Sequence, residues 1–279
     1  MNDGLTLVYQ KNERKGNDGA AFIPIVETRG FQLRRGKKGE FILIQYHGVS
    51  KAEYVHEVFS TIADKYDWLN TILSFNQDKY WRTFAVKQAG LSSGDLILDV
   101  ATGTGMMALE EARVMGRGHI IGFDFCQSML QKARKNIAKT PYEPMIELVQ
   151  GDAMKLPFAS NTFKAVTIGF GLRNMPNYQQ VIAEMVRVVQ QGGKVVSLDL
   201  AKPHWPVFKQ LYYFYFQSVL PLLGKLGIGV DGPYQWLPES LRAYPHQRII
   251  CEYFAQAGLT DTTYHELTGG IVAVHVGTK

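Results

Sequence analysis

The residues with the clearest chemical potential form an acidic, glycine-rich run at positions 99–108. Asp99 is followed by Gly103 and Gly105, and the run lies between an apolar segment and a predicted helix. Glycines in such a turn let the backbone bend sharply and let a ligand approach the main-chain N–H groups. The spacing Gly103-x-Gly105-x-x-Ala108 also matches a dinucleotide-binding fingerprint. The run therefore predicts a nucleotide-like cofactor.

Acidic residues also follow the next two predicted strands. Asp124 lies 19 residues after Gly105, where an acid holds ribose hydroxyls in dinucleotide enzymes. Gly151-Asp152-Ala153 follows the third strand, and an acid there is placed to meet an adenine amino group. A helix N-cap explains Asp124 alone, and a plain β–α turn explains the glycines alone. The occurrence of all these residues at successive strand ends favours a cofactor site.

Two cofactors, NAD and S-adenosylmethionine, are compatible with these residues. Asp99 favours S-adenosylmethionine, because a carboxylate repels a pyrophosphate and attracts an ammonium or sulfonium group. Leu156-Pro157-Phe158 adds apolar neighbours for an adenine ring. The antiparallel hairpin predicted at the C-terminal end also suits a seven-stranded methyltransferase sheet better than an all-parallel dinucleotide-binding sheet.

The elements that must position these residues alternate between strands and helices. Apolar runs without a helical period predict strands at Leu96–Val100, His119–Phe123, Ile146–Gln150, Ala165–Gly169, Lys194–Leu200, Asp261–Leu267 and Ile271–Gly277. Helices are predicted at Met106–Met115, Gln127–Lys139 and Tyr178–Gln190, with shorter ones near Asp67–Leu73 and Lys79–Gln88. The order predicts an α/β fold with a Rossmann-like seven-stranded sheet, parallel except for one antiparallel C-terminal strand. Helices flank this sheet, and further N-terminal helices precede it.

The first part of the chain has a different character from the rest. Residues 1–47 are rich in Gly, Asn and Asp, with extended runs at Phe22–Val26 and Phe41–Tyr46. The second run suits a strand of a hairpin that turns at Gly36–Gly39. We therefore predict an N-terminal extension of unknown role over residues 1–47 and a catalytic domain over residues 48–279.

Charge and composition exclude several classes of protein. The net charge of the 279 residues is +5, of which +3 falls in the first 50, so the catalytic domain has no strong basic excess and no nucleic-acid partner is expected. Cys126 and Cys251 cannot form a disulfide framework and fit a reducing compartment. No signal peptide is predicted, and the longest uncharged apolar stretch, Leu211–Gly224, is 14 residues, too short to span a bilayer. We expect a cytoplasmic protein without a metal site.

Four motifs resemble those of the UbiE/MenG family, the ubiquinone/menaquinone biosynthesis C-methyltransferases. One lies between Val58 and Phe75, and a second is Gly169-Phe-Gly-Leu-Arg173-Asn174 followed by Glu184-Met-x-Arg187-Val. The others are Tyr234-Gln-Trp-Leu-Pro-Glu-Ser240 and Leu267-Thr-Gly-Gly-Ile-Val-Ala-Val-His275. The resemblance covers about 230 residues, from about Val49 to the end.

This resemblance implies transfer of a methyl group from S-adenosylmethionine to a ring carbon of a polyprenylated hydroquinone. It places Thr104, Asp124, Asp152, Ala153 and Gly169 on cofactor-binding positions of the family. The full predicted cofactor set is Asp99, Gly103, Thr104, Gly105, Asp124, Asp152, Ala153 and Gly169. Three positions depart from the family pattern: Met106 stands where many members carry Asp, Asp152 where others carry Asn, and Gly169 where many carry Ser.

Catalysis at a hydroquinone carbon calls for a base and for donors that steady a phenolate, because the neutral ring is a weak nucleophile. Arg173 and Asn174 follow the fourth strand, at the edge of the sheet where ligands bind. The resemblance implies that Arg173 positions a water molecule or the phenolate, assisted by Asn174 and Tyr66. A salt bridge to an acid such as Asp67 is the structural alternative for Arg173, and His246 is a second candidate base.

A dense aromatic segment, Trp205–Leu223, suits either a lipophilic substrate pocket at a membrane surface or a core helix on the sheet. The first interpretation adds peripheral contact with the inner face of the membrane. The expected partners are therefore a lipophilic quinol substrate, a membrane surface, and either a second copy of the chain or a quinone-synthesis complex.

Several functions remain open at this point. The C-terminal motifs resemble menaquinone-pathway members most, so conversion of demethylmenaquinol to menaquinol is the first hypothesis. The same chemistry on a ubiquinone-pathway benzoquinol, or on another small aromatic metabolite, is an alternative. A non-catalytic scaffold that binds the cofactor is a further one, and a dehydrogenase is disfavoured by Asp99 and the terminal hairpin.

Overall fold

The computed structural model describes residues 6–10, 23–28, 31–35, 41–46, 51–63, 66–203 and 240–279. The chain divides into two compact units, Met1–Val55 and His56–Lys279, and each is described by itself. The division expected between residues 47 and 48 stays a prediction. The aromatic segment Trp205–Leu223 lies outside the described residues.

The first unit contains a four-stranded antiparallel sheet. Its strands are β1 (Thr6–Gln10), β2 (Ile23–Thr28), β3 (Phe31–Arg35) and β4 (Phe41–Tyr46), in the order β1-β2-β3-β4. Arg35 pairs with Phe41, so the expected hairpin joins β3 to β4. The sequence pattern did not indicate β1 or β3. In β3 the side chains of Gln32, Arg34 and Arg35 interrupt the apolar run that marks a strand.

Helices precede and then alternate with the strands of a second, larger sheet. The first three are α1 (Lys51–Ile62), α2 (Tyr66–Leu73) and α3 (Gln77–Ala89). Then follow β5 (Leu96–Val100), α4 (Met106–Met115), β6 (His119–Asp124), α5 (Gln127–Ile137), β7 (Ile146–Gln150), β8 (Phe163–Gly169), α6 (Tyr178–Val188) and β9 (Val189–Leu200). The last elements are α7 (Gln247–Gln256), β10 (Thr260–Leu267) and β11 (Val272–Thr278). Short 3-10 turns occupy Glu143–Met145, Leu172–Asn174 and Thr268–Gly270.

The larger sheet has seven strands in the order β10-β11-β9-β8-β5-β6-β7. Strands β5 to β9 pair in parallel, whereas β11 is antiparallel to both β9 and β10. The sheet is therefore parallel except for β11, which confirms the predicted fold class. The parallel connections place the ends of β5, β6 and β8 at one edge, where the predicted site residues lie.

Apolar layers cover both faces of this sheet. Neighbouring residues on a central strand enter different layers, and Ile97 and Leu98 are both fully buried on opposite faces. Helices α3 and α4 contribute to the first layer, and α6 and α7 contribute to the second. Burial on both faces explains why β5 and β8 are almost continuously apolar in sequence. Polar residues within these strands, such as Asp99 and Thr167, are therefore unusual and carry an electrostatic cost.

Helix α3 is fixed to the edge of the sheet by two hydrogen bonds. The Trp81 indole Nε1 donates to Thr268 Oγ1 at 2.8 Å, in the turn between β10 and β11. Lys194 Nζ on β9 donates to the Gln88 carbonyl oxygen at 3.2 Å. The terminal hairpin and the helical region before β5 therefore stabilise each other. Among the described residues, no helix has both the length and the apolar character to cross a membrane.

The Trp81–Thr268 hydrogen bond can be tested by substitution. We expect Trp81→Phe to lower the free energy of unfolding by about 1 kcal/mol, because the ring remains buried and one hydrogen bond is lost. The measurement is urea unfolding followed by circular dichroism. Tyr80→Phe is the matched control, because Tyr80 is 53% exposed and its change should stay within about 0.5 kcal/mol. Equal effects of the two substitutions would contradict this role of Trp81.

Candidate active site

The glycine-rich loop joins β5 to α4 with a backbone that only glycine adopts easily. Gly103 has a φ of 57° and Gly105 a φ of 82°. A Cβ atom at Gly105 would lie 3.2 Å from Ile137 Cδ1 and 3.3 Å from Ala133 Cβ, whereas a Cβ atom at Gly103 would meet only the Ala101 carbonyl oxygen, at 3.9 Å. Gly105 therefore serves packing against α5, and Gly103 leaves its backbone accessible on the open side of the loop.

Asp124 is held at the end of β6 by two backbone donors. Its Oδ2 accepts from Gly103 N at 2.8 Å, and its Oδ1 accepts from Cys126 N at 2.8 Å. The N-cap position of α5 belongs to Cys126, so Asp124 is not the N-cap that was weighed as its structural role. The buried carboxylate is thereby oriented towards the glycine loop, as a ribose-binding acid must be.

Thr104 in the same loop contacts helix α2. Its hydroxyl donates to Asp67 Oδ1 at 2.5 Å, and the Asn136 side-chain amide donates to Asp67 Oδ2 at 2.9 Å. Asn136 also donates to the Thr104 carbonyl oxygen at 3.1 Å. Asp67 therefore joins α2, α5 and the glycine-rich loop. Asp67 is not the ion-pair partner that was considered for Arg173.

Asp99 forms a buried acidic pair with Glu111 through a hydroxyl group. Thr167 Oγ1 lies 2.6 Å from Glu111 Oε1 and 3.3 Å from Asp99 Oδ1, and all three residues are fully buried. Within the described part of the chain, Asp99 Oδ2 and Glu111 Oε2 have no hydrogen-bond partner. Burial raises the pKa of Asp99 to about 7 and raises the pKa of Glu111 well above its ordinary value.

The other predicted cofactor residues lie at the ends of β7 and β8. Asp152 is exposed and accepts from Met154 N at 2.8 Å, whereas Ala153 is buried. The nearby ring of Phe158 packs against Phe123 with centroids 5.7 Å apart, so this wall is apolar as expected. A Cβ atom at Gly169 would lie 3.7 Å from the Met107 side chain, which is an ordinary van der Waals contact, so an added Cβ is tolerated there.

Arg173 is buried in the turn after β8 and pairs with Asp199 at the end of β9. Its Nη1 donates to Asp199 Oδ1 at 2.6 Å, and its backbone N donates to Asp199 Oδ2 at 2.9 Å. The side chains of Arg173 and Asp199 are 5% and 1% exposed. Arg173 therefore forms a structural salt bridge, as the alternative interpretation predicted, but its partner is Asp199 rather than Asp67.

Two residues that follow β5 and β8 adopt a left-handed backbone that is unfavourable for side chains. Ala101, after β5, has a φ of 53°, and Phe170, after β8, has a φ of 57°. The Phe170 carbonyl oxygen accepts from Arg173 Nη1 at 2.7 Å and from Asn174 Nδ2 at 3.2 Å. Strain of this kind persists only where neighbouring groups enforce it, and it is common at functional sites. Arg173 and Asn174 hold one of these two strained residues.

Three tyrosines lie near the Arg173–Asp199 pair: Tyr244 is buried, whereas Tyr66 and Tyr178 are half-buried. Burial raises the pKa of Tyr66, and the charge of Arg173 opposes that rise. Burial also raises the pKa of Tyr178 to about 12 and that of Tyr244 well above its ordinary value. The three phenols therefore stay protonated at neutral pH, and they are donors rather than bases.

The described histidines near this region are poor candidates for a general base. His246 forms the N-cap of α7, where its Nδ1 accepts from Arg248 N at 3.2 Å. His275 is buried on β11, and its Nε2 lies 2.9 Å from the Gln247 carbonyl oxygen. Burial lowers the pKa of His275 to about 4, so this ring is neutral near pH 7.

The donor set fits S-adenosylmethionine. Asp99 presents a buried carboxylate oxygen without a partner among the described residues, which suits a cationic group. Asp124 is fixed for hydroxyl groups, and Phe158 offers an apolar wall for a ring. No group of three metal-ligating side chains occurs among the described residues. The arrangement can bind a positively charged nucleoside beside a buried arginine.

Sequence reasoning missed several residues of this site. Asp199 is signalled only as an acid at the end of an apolar strand, and Glu111 only as an acid on the otherwise apolar face of α4. Tyr178, Tyr244 and Thr167 carry no sequence signal of their own, because their roles depend on contacts between distant elements.

The chain matches the ubiE/COQ5 methyltransferase family over residues 47–279. It is similar to the demethylmenaquinone methyltransferase of Desulfitobacterium hafniense, with 46% identity over 88% of this chain and 97% of the relative. It is also similar to the demethylmenaquinone methyltransferase of Shouchella clausii, with 45% identity over 82% of this chain and 98% of the relative.

Solved structures share the fold at low identity. A SAM dependent methyltransferase from Aquifex aeolicus superimposes with a TM-score of 0.52 and 17% identity, over 70% of this chain and 88% of that chain. Human N-acetylserotonin methyltransferase in complex with SAM superimposes with a TM-score of 0.57 and 14% identity, over 84% of this chain and 61% of that chain. These matches support the methyltransferase-like fold.

The two glycines of the loop should respond differently to substitution. Both Gly103→Ala and Gly105→Ala incur the left-handed backbone penalty of about 1 kcal/mol. Gly105→Ala also crowds Ile137 and Ala133, so we expect it to cost about 2–3 kcal/mol in the free energy of unfolding. Urea unfolding of both variants measures the difference. A larger loss for Gly103→Ala would show that the packing described here is wrong.

The buried Asp99 should make the protein less stable as the pH rises. Its folded pKa of about 7 lies above the ordinary value of 3.8, so wild-type stability falls between about pH 4 and pH 7. Asp99→Asn lacks this loss. We expect its free energy of unfolding, relative to wild type, to increase by on the order of 2 kcal/mol between pH 5 and pH 8. The exposed Asp261→Asn is the control, and a difference independent of pH would refute a raised pKa.

Proposed function

The chain belongs to the ubiE/COQ5 methyltransferase family, and from that membership we propose that it converts demethylmenaquinol to menaquinol with S-adenosylmethionine as methyl donor. The observation that carries this proposal is the similarity to demethylmenaquinone methyltransferases at 45–46% identity over most of both chains. The buried acidic residues at the end of β5 support it, because a carboxylate such as Asp99 suits a cationic methyl donor.

The cofactor roles follow from the position of each residue. When bound, S-adenosylmethionine supplies a methyl group on a sulfonium centre. We assign the ribose hydroxyls to Asp124, the adenine amino group to Asp152, and the adenine ring to the wall that contains Ala153. Asp99 faces the methionyl end. We assign backbone contacts with the cofactor to four residues: Gly103, Thr104, Gly105 and Gly169. For Thr104 the contact is through the backbone because its hydroxyl is already bonded to Asp67.

The acceptor chemistry requires a stabilised phenolate. Transfer forms a carbon–carbon bond, breaks the sulfur–methyl bond and releases the ring proton, and loss of a hydroxyl proton beforehand makes the ring carbon more nucleophilic. We assign stabilisation of the phenolate to the positive charge of Arg173. Tyr66 and Asn174 add hydrogen-bond donors, since the Tyr66 phenol stays protonated. The proton passes to a water molecule that these groups orient.

The surroundings of the reaction are proposed on the same basis. A polyprenylated quinol is lipophilic, so the enzyme must meet its substrate at a membrane surface, and we retain peripheral membrane contact as a prediction. A second copy of the chain or a quinone-synthesis complex also remains a predicted partner. The role of residues 1–47 is not part of the proposed chemistry.

The acceptor can be identified in one assay. Purified protein is incubated under reducing conditions with methyl-labelled S-adenosylmethionine and either demethylmenaquinol, a 2-methoxy-6-polyprenyl-benzoquinol, or no acceptor. We expect label in the product of demethylmenaquinol. Label only in the benzoquinol product would instead assign the ubiquinone pathway. Cofactor binding without transfer to either acceptor would refute the proposed activity.

A test of Arg173 in catalysis must also remove the charge of its ion-pair partner, Asp199, because loss of the ion pair alone destabilises the fold. Arg173→Met leaves the buried Asp199 carboxylate without its cation, and we expect a loss of about 3 kcal/mol or more in the free energy of unfolding. Adding Asp199→Asn removes the remaining charge and should recover at least half of that loss. We expect the double variant to bind S-adenosylmethionine, measured by calorimetry, and to lack turnover. Recovery of turnover together with stability would make Arg173 purely structural.

A further inference from the structure

We propose that Glu111 is a positioning residue that stays protonated and, through the Thr167 hydroxyl, holds Asp99 as the carboxylate that receives the cofactor's ammonium group. This inference rests on the cofactor part of the proposed function. It assigns a role to a buried acid that the methyl-transfer chemistry itself does not use. Glu111 touches neither substrate nor cofactor in this scheme and acts only through Thr167.

The Thr167 hydroxyl can donate its single hydrogen to either Asp99 or Glu111, and the protonation state of Glu111 decides which. Asp99 on β5 and Thr167 on β8 are register partners in neighbouring parallel strands, and α4 brings Glu111 to the same face of the sheet. The hydroxyl lies within hydrogen-bond distance of both carboxyl groups but carries a single hydrogen. If Glu111 were ionised, it would compete with Asp99 for that hydrogen. A protonated Glu111 instead donates to Thr167 Oγ1 and leaves the hydroxyl hydrogen for Asp99.

The charges around the pair favour a protonated Glu111. Among the described residues, no lysine or arginine forms an ion pair with Asp99 or Glu111. Arg82 on α3 bonds to Asp78, and Arg113 on α4 bonds to Glu110.

The titratable group that faces the pair from β6 is Asp124, another acid, which raises the pKa of Asp99 further. Two buried carboxylates without a cation are strongly unfavourable, so at least one proton is retained. We assign this proton to Glu111 because Glu111 is enclosed within α4, whereas Asp99 lies at the carboxyl end of β5, where a cationic ligand is expected. Burial and the neighbouring Asp99 also raise the pKa of Glu111 well above its ordinary value.

The arrangement makes cofactor binding release a proton. Asp99 titrates near pH 7 in the free protein, and an ammonium group beside it favours the ionised form. Binding therefore displaces a proton from Asp99 while Glu111 keeps its own. S-adenosylhomocysteine carries the same ammonium group without the sulfonium charge, so it should release as many protons as S-adenosylmethionine.

The experiment is calorimetric binding of both ligands to the full-length protein in two buffers with different ionisation enthalpies. At pH 6 and pH 7 the ligands' amino group is largely protonated. We expect release of about 0.9 proton at pH 6 and about half a proton at pH 7. Absence of binding to either ligand would refute the proposed function. Binding without proton release would refute only this inference.

Four variants separate a positioning role from simple packing. Glu111→Gln keeps a neutral donor for Thr167, and we expect it to preserve affinity and the pH dependence of proton release. Glu111→Leu keeps the bulk but lacks the donor, and we expect affinity to fall about fivefold. Thr167→Val removes the hydroxyl that donates to Asp99 and should weaken ligand binding about tenfold. Thr167→Ser keeps this hydroxyl and should bind with the affinity of the wild type.

The pH dependence decides the charge of Glu111. If Glu111 is ionised in the wild type, Glu111→Gln removes a neighbouring negative charge and shifts the proton release to lower pH. That shift would overturn the proposal. Thermal unfolding of each variant without ligand shows that the fold is intact, and equal losses of affinity in Glu111→Gln and Glu111→Leu would also overturn it.

Discussion

Burial of acidic groups inside an apolar sheet is the constraint on which this site depends. Asp99 and Glu111 are buried beside a layer of apolar side chains, and within the described structure no cation neutralises them. A carboxylate in such surroundings has a high free energy until a positive ligand arrives. The fold therefore stores an electrostatic preference for a cation at the carboxyl edge of β5, at the expense of its own stability above neutral pH.

On the opposite face of the sheet, at the same edge, the buried charges neutralise each other. There the guanidinium group of Arg173 is neutralised by Asp199, and phenols rather than acids surround the pair. One face therefore presents an uncompensated negative charge, and the other presents a compensated positive charge with neutral donors. This division matches a reaction in which a cationic methyl donor meets an acceptor that becomes negatively charged. The turn after β8 follows Thr167 and leads into Arg173, and its strained residue, Phe170, is held there by Arg173 and Asn174.

The sequence predicted the large sheet well, because its strands are apolar runs separated by clear helix and turn signals. The end of β8 and the glycine loop were also predictable, since glycines and acids at strand ends are local features. The partner of Arg173 was not, because Asp199 is 26 residues away and only the parallel pairing of β8 with β9 brings them together. The Asp99–Thr167–Glu111 contact was equally hidden, since it requires β5, β8 and α4 at once. Strand β3 was missed because polar residues interrupt its apolar run, and β1 was missed because its apolar run, Leu7-Val8-Tyr9, is only three residues long.

The meeting of the loops after β5 and β8 has a consequence for how this protein can vary. A Cβ atom at Gly171 would lie only 2.6 Å from Ala101 Cβ, and Ala101 itself has a positive φ. The space between residues 101 and 171 therefore holds only one Cβ atom. Within this fold, glycine at 171 is required as long as residue 101 has a side chain. Glycine at 101 would relieve the strain there and remove the shortest contact at 171, leaving the Ile168 side chain at 3.2 Å. Changes at these two positions are coupled, and an engineered or drifting sequence must alter them in that order.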